Sequence, residues 1–97
     1  MKVLWTEQAL ARLTEIEDFV GADDPAAAVK LGSRLVERGE SLARLWSRGR
    51  RLPELPDSPL RELVEGNYRI VYRTRKNTVE VLTVFEGHRR LRRSKVS

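Results

Sequence analysis

The sequence predicts an α+β fold: a strand, a helical hairpin, then a three-stranded antiparallel meander, with both helices packed on one face of the sheet. Two tight-turn dipeptides, Gly66-Asn67 and Lys76-Asn77, divide the second half of the chain into three β-prone segments. In the first half, apolar residues recur at steps of three and four, the period of an amphipathic helix. These two patterns, segregated along the chain, favour the α+β class.

A short strand and a helix open the chain. The segment from Lys2 to Trp5 is apolar and β-prone, and Thr6 is suited to cap the helix that follows. Gly21 is predicted to end that helix in a left-handed cap. The buried side of the helix is predicted to consist of Ala9, Leu13, Ile16 and Val20.

A second helix is predicted from Asp24 to about Trp46, because Asp24 can cap it and Pro25 suits the first helical position. Two of its inward positions are glycines, each of which costs about 1 kcal/mol relative to alanine in a helix. We therefore expect the backbone of the first helix to approach closely, in an antiparallel hairpin. The inward stripe is Ala28, Gly32, Leu35, Gly39, Leu42 and Trp46.

Residues 47–59 are predicted to form a loop, since three prolines and Gly49 disfavour regular structure there. The two turns that follow, taken as two-residue loops, fix the strand register. Leu63 then faces Ile70, Arg73 faces Glu80 and Arg69 faces Val84. The side predicted to pack on the helices holds Leu63, Ile70, Tyr72, Val81 and Phe85. The opposite side holds Glu62, Val64, Arg69, Val71, Arg73, Glu80, Leu82 and Val84.

The second side is predicted to be an exposed binding surface. Its apolar members are Val64, Val71, Leu82 and Val84, rimmed by the guanidinium groups of Arg69 and Arg73. An uncovered apolar patch with a polar rim is typical of an interface. The alternative is that the C-terminal segment folds back over the patch, although its few apolar side chains offer little area for this.

Composition limits the possible functions. Ninety-seven residues form one domain, predicted as residues 1–90 with a basic tail at 91–97. The chain has no cysteine and one histidine, so we expect no disulfide, no thiolate chemistry, no metal and no cofactor. No apolar run approaches the ~20 residues of a membrane span. Residues 47–97 carry 13 basic and 6 acidic side chains, against 6 and 8 in residues 1–46, so the second half should attract acidic partners.

The chain resembles the ParE branch of the ParE/RelE toxin superfamily, the toxin halves of type II toxin–antitoxin pairs. The resemblance covers nearly the whole domain, and its specificity comes from the order and spacing of several short motifs. These are Trp5-Thr-x-x-Ala9, Gly49-Arg-x-x-Pro-Glu54, Arg61-Glu-Leu63, Asn67-Tyr-Arg-Ile-Val-Tyr72 and Val84-Phe-Glu-Gly-His-Arg89.

The resemblance implies a cytoplasmic bacterial toxin that arrests growth, serves plasmid stabilisation and is held inactive in a hetero-oligomer with a cognate antitoxin. ParE-like members bind and poison DNA gyrase, whereas RelE-like members cleave mRNA on the ribosome. An acidic antitoxin segment would cover the predicted surface, at Val64, Arg69, Val71, Arg73, Leu82 and Val84. Target binding is assigned to the basic segment after the last strand, at His88, Arg89, Arg90, Arg92 and Arg93.

A metal-independent nuclease of this superfamily would need a base, cations on the phosphate and an acid. By resemblance the candidates are Glu54, Arg61, Arg69 and His88. Each also has a structural interpretation: Glu54 can pair with Arg50 or Arg51, Arg61 can lie at the sheet margin beside Tyr72, Arg69 can form cross-strand ion pairs, and His88 can be solvated. The loop lacks the lysines and the end of the chain lacks the tyrosine of cleaving relatives. The sequence therefore favours the gyrase inhibitor over the nuclease.

Overall fold

A helical hairpin packs against one face of a five-stranded mixed sheet in the computed structural model, which describes residues 1–87. The sheet order is β1-β5-β4-β3-β2, with β1 parallel to β5 and all other neighbours antiparallel. The predicted α+β class is confirmed. The elements are β1 (Lys2–Trp5), α1 (Glu7–Gly21), α2 (Pro25–Glu40), α3 (Leu42–Leu45), β2 (Arg50–Arg51), β3 (Arg61–Glu65), β4 (Tyr68–Arg75) and β5 (Thr78–Glu86).

Helix α1 begins where the sequence predicts. The backbone N–H of Ala9 donates to the Thr6 hydroxyl at 3.1 Å, and the same hydroxyl lies 3.0 Å and 3.1 Å from the carbonyl oxygens of Val81 and Leu82. Thr6 therefore caps the helix and anchors it to β5. The predicted left-handed cap at Gly21 is wrong: the following residue, Ala22, is right-handed, and its N–H donates back to Asp18.

Helix α2 has the predicted start, with the Ala27 N–H donating to the Asp24 side chain at 3.1 Å and Pro25 at the first helical position. It ends at Glu40 rather than near Trp46. The Ser41 hydroxyl donates to the Arg38 carbonyl at 2.6 Å, and a separate helical turn, α3, follows. The predicted burial of Trp46 is wrong, because Trp46 follows the end of α3 and is 40% exposed.

The two glycines of α2 make room for side chains, not for a backbone as predicted. A Cβ at Gly39 would lie 2.3 Å from the Trp5 ring, and one at Gly32 would lie 2.1 Å from the Glu17 carboxylate. Both glycines thus let α2 lie close to its neighbours, one against β1 and the other against α1. The predicted hairpin of α1 and α2 is present, but the atoms that require the glycines belong to Trp5 and Glu17.

The strand register agrees with the prediction up to a β-bulge. Both two-residue turns are present, and Leu63 faces Ile70 as Arg73 faces Glu80. Beyond this point Tyr72 faces Val81 but Val71 faces Thr83, so Leu82 is an extra residue in β5. The predicted pairs of Val71 with Leu82 and of Arg69 with Val84 are wrong for that reason.

One extra residue reverses the sides of everything after it. Val84 turns into the core beneath the helices, and Phe85 turns to the opposite side. The predicted places of these two residues are therefore exchanged. The helix-side core consists of Ala9, Leu13, Leu31, Leu35, Leu42, Ile70, Tyr72, Val79, Val81 and Val84.

The other side of the sheet is covered by residues 52–60, which we call the covering loop. Leu52, Leu55 and Leu60 from this loop pack on Val71, which is fully buried. The loop is preceded by β2, a short strand that the sequence analysis missed and that pairs with β3. The prediction of an open valine surface is wrong for Val71 and Val84, which the chain itself buries, whereas Val64 is exposed. No helix within residues 1–87 has the length and apolar character needed to cross a membrane.

Candidate functional site

Arg69 is the centre of a buried ion-pair cluster beneath the covering loop. Its Nη1 and Nη2 atoms donate to the two Glu54 carboxylate oxygens, each at 2.7 Å, and its Nε donates to Glu62. The guanidinium lies over the Phe85 ring, 4.8 Å from the centroid, and the side chain is 7% exposed. These contacts raise the pKa of Arg69 above its ordinary value. The Glu54 hydrogen bond is the largest cause, and burial acts in the opposite direction.

The cluster continues to the edge of the sheet. Glu62 is fully buried in β3, and Arg50 donates from Nε to its second carboxylate oxygen at 2.6 Å. The register explains the contact, because Arg50 faces Glu62 across β2 and β3. Positive and negative charges therefore alternate through Glu54, Arg69, Glu62 and Arg50, and buried charges arranged in this way need one another as partners.

A second group of contacts holds the start of the covering loop. The Tyr72 hydroxyl donates to the Trp46 carbonyl at 2.8 Å and accepts from the Gly49 N–H at 2.9 Å, while Arg61 Nη1 donates to the Gly49 carbonyl at 2.7 Å. A Cβ at Gly49 would lie 2.2 Å from the Tyr72 hydroxyl, so only glycine fits. Burial raises the pKa of Tyr72, while the Gly49 hydrogen bond and the Arg61 charge oppose it.

The structure brings together two of the four nuclease candidates, Glu54 and Arg69, as the two partners of an ion pair. Glu54 and Arg69 neutralise each other, and the predicted pairing of Glu54 with Arg50 or Arg51 is wrong. Arg61 faces Tyr72, as predicted, and so lies on the opposite side of the sheet from Arg69. His88 lies outside the described residues. Within residues 1–87 no three histidine, aspartate or glutamate side chains are grouped to hold a metal ion.

The residues predicted to bind an antitoxin do not form one surface. Val71, Val84 and Arg69 are buried, and Leu82 is half-buried. Val64 is exposed, and the Arg73 side chain is partly exposed and pairs with Glu80 at 2.7 Å, a cross-strand contact the register predicts. The residues predicted to bind the target lie beyond residue 87, outside the described part of the chain: His88, Arg89, Arg90, Arg92 and Arg93.

The covering loop was not predicted to be a packed structural element. Its three leucines, Leu52, Leu55 and Leu60, are separated by prolines, and each is buried. Leucines spaced through a proline-rich segment indicate that the loop packs against the rest of the fold. A loop of purely polar residues would have no apolar side chains to bury in this way.

Comparison with known proteins identifies the family. The family described as "ParE toxin of type II toxin-antitoxin system, parDE" matches residues 3–91, almost the whole chain. The chain belongs to the ParE toxin family. This ParE-family chain is therefore the toxin component of a type II toxin–antitoxin system.

Individual relatives of the ParE-family chain agree with this assignment. Toxin RelE2 of Caulobacter vibrioides is 44% identical over 63 residues, which cover 65% of this chain and 67% of that protein. Putative toxin Y4kP of Sinorhizobium fredii is 38% identical over 89 residues, covering 90% and 88%. A chain of the chromosomal ParDE system from P. aeruginosa shares the fold, with a TM-score of 0.75 at 22% identity, over 89% of this chain and 95% of that chain.

Proposed function

We propose that this toxin arrests bacterial growth by binding DNA gyrase, without a chemical step of its own, and that a cognate antitoxin neutralises it in a cytoplasmic complex. Membership of the ParE family supports the pairing with an antitoxin. The state of Arg69 supports inhibition by binding, and it is the observation on which this choice depends.

Cleavage of RNA needs cationic donors aimed at the phosphate where negative charge develops. Three donor nitrogens of Arg69 are already bound to Glu54 and Glu62, and the covering loop lies over them. Freeing the guanidinium would separate Arg69 from a buried carboxylate, which typically costs about 3–5 kcal/mol. It would also uncover Val71 and the leucines packed on it. Arg69 is therefore better suited to holding the covering loop than to holding a phosphate.

The mRNA-cleaving alternative has one observation in its favour. The relative with 44% identity is named Toxin RelE2, and RelE-like toxins are the ribosome-dependent branch of the superfamily. The alternative would need Glu54 to act as a base, although its carboxylate is bound to Arg69. Arg61, the other candidate cation, lies on the opposite side of the sheet from Arg69 and its partner Glu54.

Expression of the toxin without an antitoxin separates the two functions. We expect growth arrest with induction of the DNA-damage response, and inhibition of supercoiling when the purified toxin is added to purified gyrase. Cellular mRNAs should keep their normal ends. Truncated mRNAs together with unaffected gyrase would refute the proposal in favour of cleavage.

A matched pair of variants strengthens this test. Glu54→Asp keeps a carboxylate for Arg69 but moves it by about one methylene. This change should abolish activity if Glu54 is a catalytic base, and should only weaken the contact if Glu54 is a structural partner of Arg69. Asp57→Glu makes the reverse change at an exposed position of the covering loop. If gyrase inhibition persists in both variants, in proportion to the folded fraction measured by circular dichroism, the role of Glu54 is structural.

A further inference from the structure

A second group of arginines lies at the margin of the sheet, apart from the buried ion-pair cluster. Arg51 belongs to β2, the last strand in the sheet order, and Arg61 faces it from β3. Arg48 lies just before β2 and is exposed, as Arg51 is. Together with a neighbouring tryptophan these residues form what we call the basic margin: Trp46, Arg48, Arg51 and Arg61.

The charges of the basic margin are not neutralised within residues 1–87. Arg48, Arg51 and Arg61 form no ion pair with any carboxylate there. Arg51 and Arg61 face each other directly, and like charges in that position are destabilising. The strands that carry them lie about 4.8 Å apart, so both side chains can reach one anion. An anion bound between them would relieve the repulsion.

Hydrogen bonds already orient the guanidinium groups of the basic margin. Arg51 Nη1 donates to the Ser58 carbonyl at 2.8 Å, and Arg61 Nη1 donates to the Gly49 carbonyl at 2.7 Å. Each guanidinium has five N–H donors, so each keeps several for an anion. The planar fork of these donors matches the oxygens of a phosphate group. Holding the forks in place beforehand reduces the entropy that binding must remove.

Trp46 adds an aromatic surface next to these cations. The Tyr72 hydroxyl joins the Trp46 carbonyl to the Gly49 N–H, which places Trp46 beside the start of β2. That contact uses the backbone of Trp46, and the residue is 40% exposed. An exposed aromatic ring is a platform on which an unpaired nucleobase can stack.

The composition of the basic margin favours a nucleic acid over a protein as its partner. A protein interface has an apolar core surrounded by a polar rim, whereas the margin contains one apolar side chain, that of Trp46, among three arginines. Arginines that hold phosphates, together with an aromatic ring that stacks on bases, are typical of surfaces that bind single-stranded nucleic acid without reading its sequence.

We propose that the basic margin binds single-stranded DNA, with phosphates on the guanidinium groups and an unpaired base on Trp46. The choice of DNA over RNA rests on the proposed inhibition of gyrase, whose substrate is DNA. Negative supercoiling, which gyrase introduces, makes a duplex easier to open and so exposes unpaired bases. A toxin that holds this DNA as well as the enzyme is bound at two points, which strengthens its attachment to the complex.

The test measures the anisotropy of a fluorescein-labelled DNA strand of about 12 nucleotides as the full-length toxin is added at several salt concentrations. Arg48→Gln and Arg51→Gln should each weaken binding and reduce the slope of log K against log salt by about 0.7, the loss of one phosphate contact. Trp46→Ala should weaken binding by about fivefold or more and leave the slope unchanged, because stacking releases no counterion. Trp46→Phe should keep most of the affinity, since it retains an aromatic ring.

Arg75→Gln is the matched control, because it removes the same charge from an exposed position of β4. We expect it to change the affinity by less than about twofold. Thermal unfolding identifies any variant that does not fold. Arg48→Gln is the safest of the variants in this respect, since Arg48 is exposed and lies outside the helices and strands.

Four results would overturn the inference. Arg75→Gln could weaken binding as much as Arg48→Gln and Arg51→Gln, which would indicate attraction to net charge alone. Trp46→Ala could leave the affinity unchanged, which would exclude stacking. RNA of the same sequence could bind more tightly than the DNA. A peptide of alternating Glu and Val could displace the DNA at a lower concentration than unlabelled DNA does, which would indicate a protein partner.

The assay contains no gyrase, so its outcome is independent of the proposed function. A toxin that binds DNA as expected but leaves purified gyrase active would refute the inhibition and retain the DNA site. A toxin that inhibits gyrase but does not bind the DNA strand would refute the DNA site alone.

Discussion

Replacing Glu54 by glutamine tests how the covering loop is held. The substitution removes one carboxylate from a guanidinium that is 7% exposed, and it leaves Glu62 as the remaining partner of Arg69. A hydrogen bond to a charged group contributes about 1.5–3 kcal/mol, and glutamine can restore one of the two at reduced strength. We therefore expect the free energy of unfolding to fall by about 2–3 kcal/mol.

The effect is measurable by urea unfolding and by heat. A loss of about 2–3 kcal/mol lowers the folding equilibrium constant by roughly 30- to 150-fold. For a domain of this size it lowers the melting temperature by about 10–20 °C. Limited proteolysis should also show faster cleavage within residues 52–60, because the substitution loosens that segment first.

Asp57→Asn is the matched control, since it makes the same chemical change at an exposed position of the covering loop. We expect it to change stability by less than about 0.5 kcal/mol. If Glu54→Gln costs no more than Asp57→Asn, the ion pair does not hold the loop. That result would contradict a structural role for Arg69.

Three further predictions concern the two cores. Leu52→Ala should cost about 2–4 kcal/mol by urea unfolding, because Leu52 is fully buried, whereas Val64→Ala at an exposed position should cost under about 0.5 kcal/mol; equal costs would mean that the loop does not pack. Gly49→Ala should destabilise by at least about 2 kcal/mol, since its Cβ would meet the buried Tyr72 hydroxyl, and Tyr72→Phe should relieve part of that cost in the double variant. The raised pKa of Tyr72 means that the folded state holds this proton more tightly; the stability it contributes is complete below about pH 10 and is lost as pH rises above it. Tyr72→Phe should therefore be less stable at neutral pH but lose stability less steeply in alkaline unfolding curves, and an unchanged slope would contradict this.

The sequence predicted those parts of the fold that local chemistry determines. Thr6 and Asp24 cap the two helices as expected, and both two-residue turns form. Caps and tight turns depend on a few adjacent residues, so their signals survive in any tertiary setting. The end of α2 at Glu40 was not predicted, because a serine that bonds the preceding turn of a helix is compatible with either a continued or an ended helix.

The candidate site was predicted less well, and one residue explains much of the error. The bulge at Leu82 exchanges the sides of Val84 and Phe85, which removed one valine from the predicted surface. The consecutive apolar pairs in Val81-Leu82 and Val84-Phe85 break the alternation of a regular strand and could have marked the irregularity. Which residue bulges depends on how β5 pairs with β1 and β4, and a local pattern does not carry that information.

The covering loop accounts for the rest of the error. Its contacts join residues far apart in sequence, such as Glu54 with Arg69 and Leu52 with Val71. A charged residue on a strand has the same local pattern whether its partner is a ligand, solvent or a loop of the same chain. The functional meaning of Arg69 therefore depended on the tertiary structure, even though its position in β4 did not.

Chemical modification of the arginines tests most directly whether Arg69 is sealed. Phenylglyoxal reacts with accessible guanidinium groups, and peptide mass spectrometry gives the rate for each arginine. We expect Arg48 and Arg51 to be modified rapidly and Arg69 to react at least about tenfold more slowly, becoming reactive in Glu54→Gln as the loop loosens. Modification of Arg69 in the native wild-type toxin as fast as that of Arg51 would contradict the account.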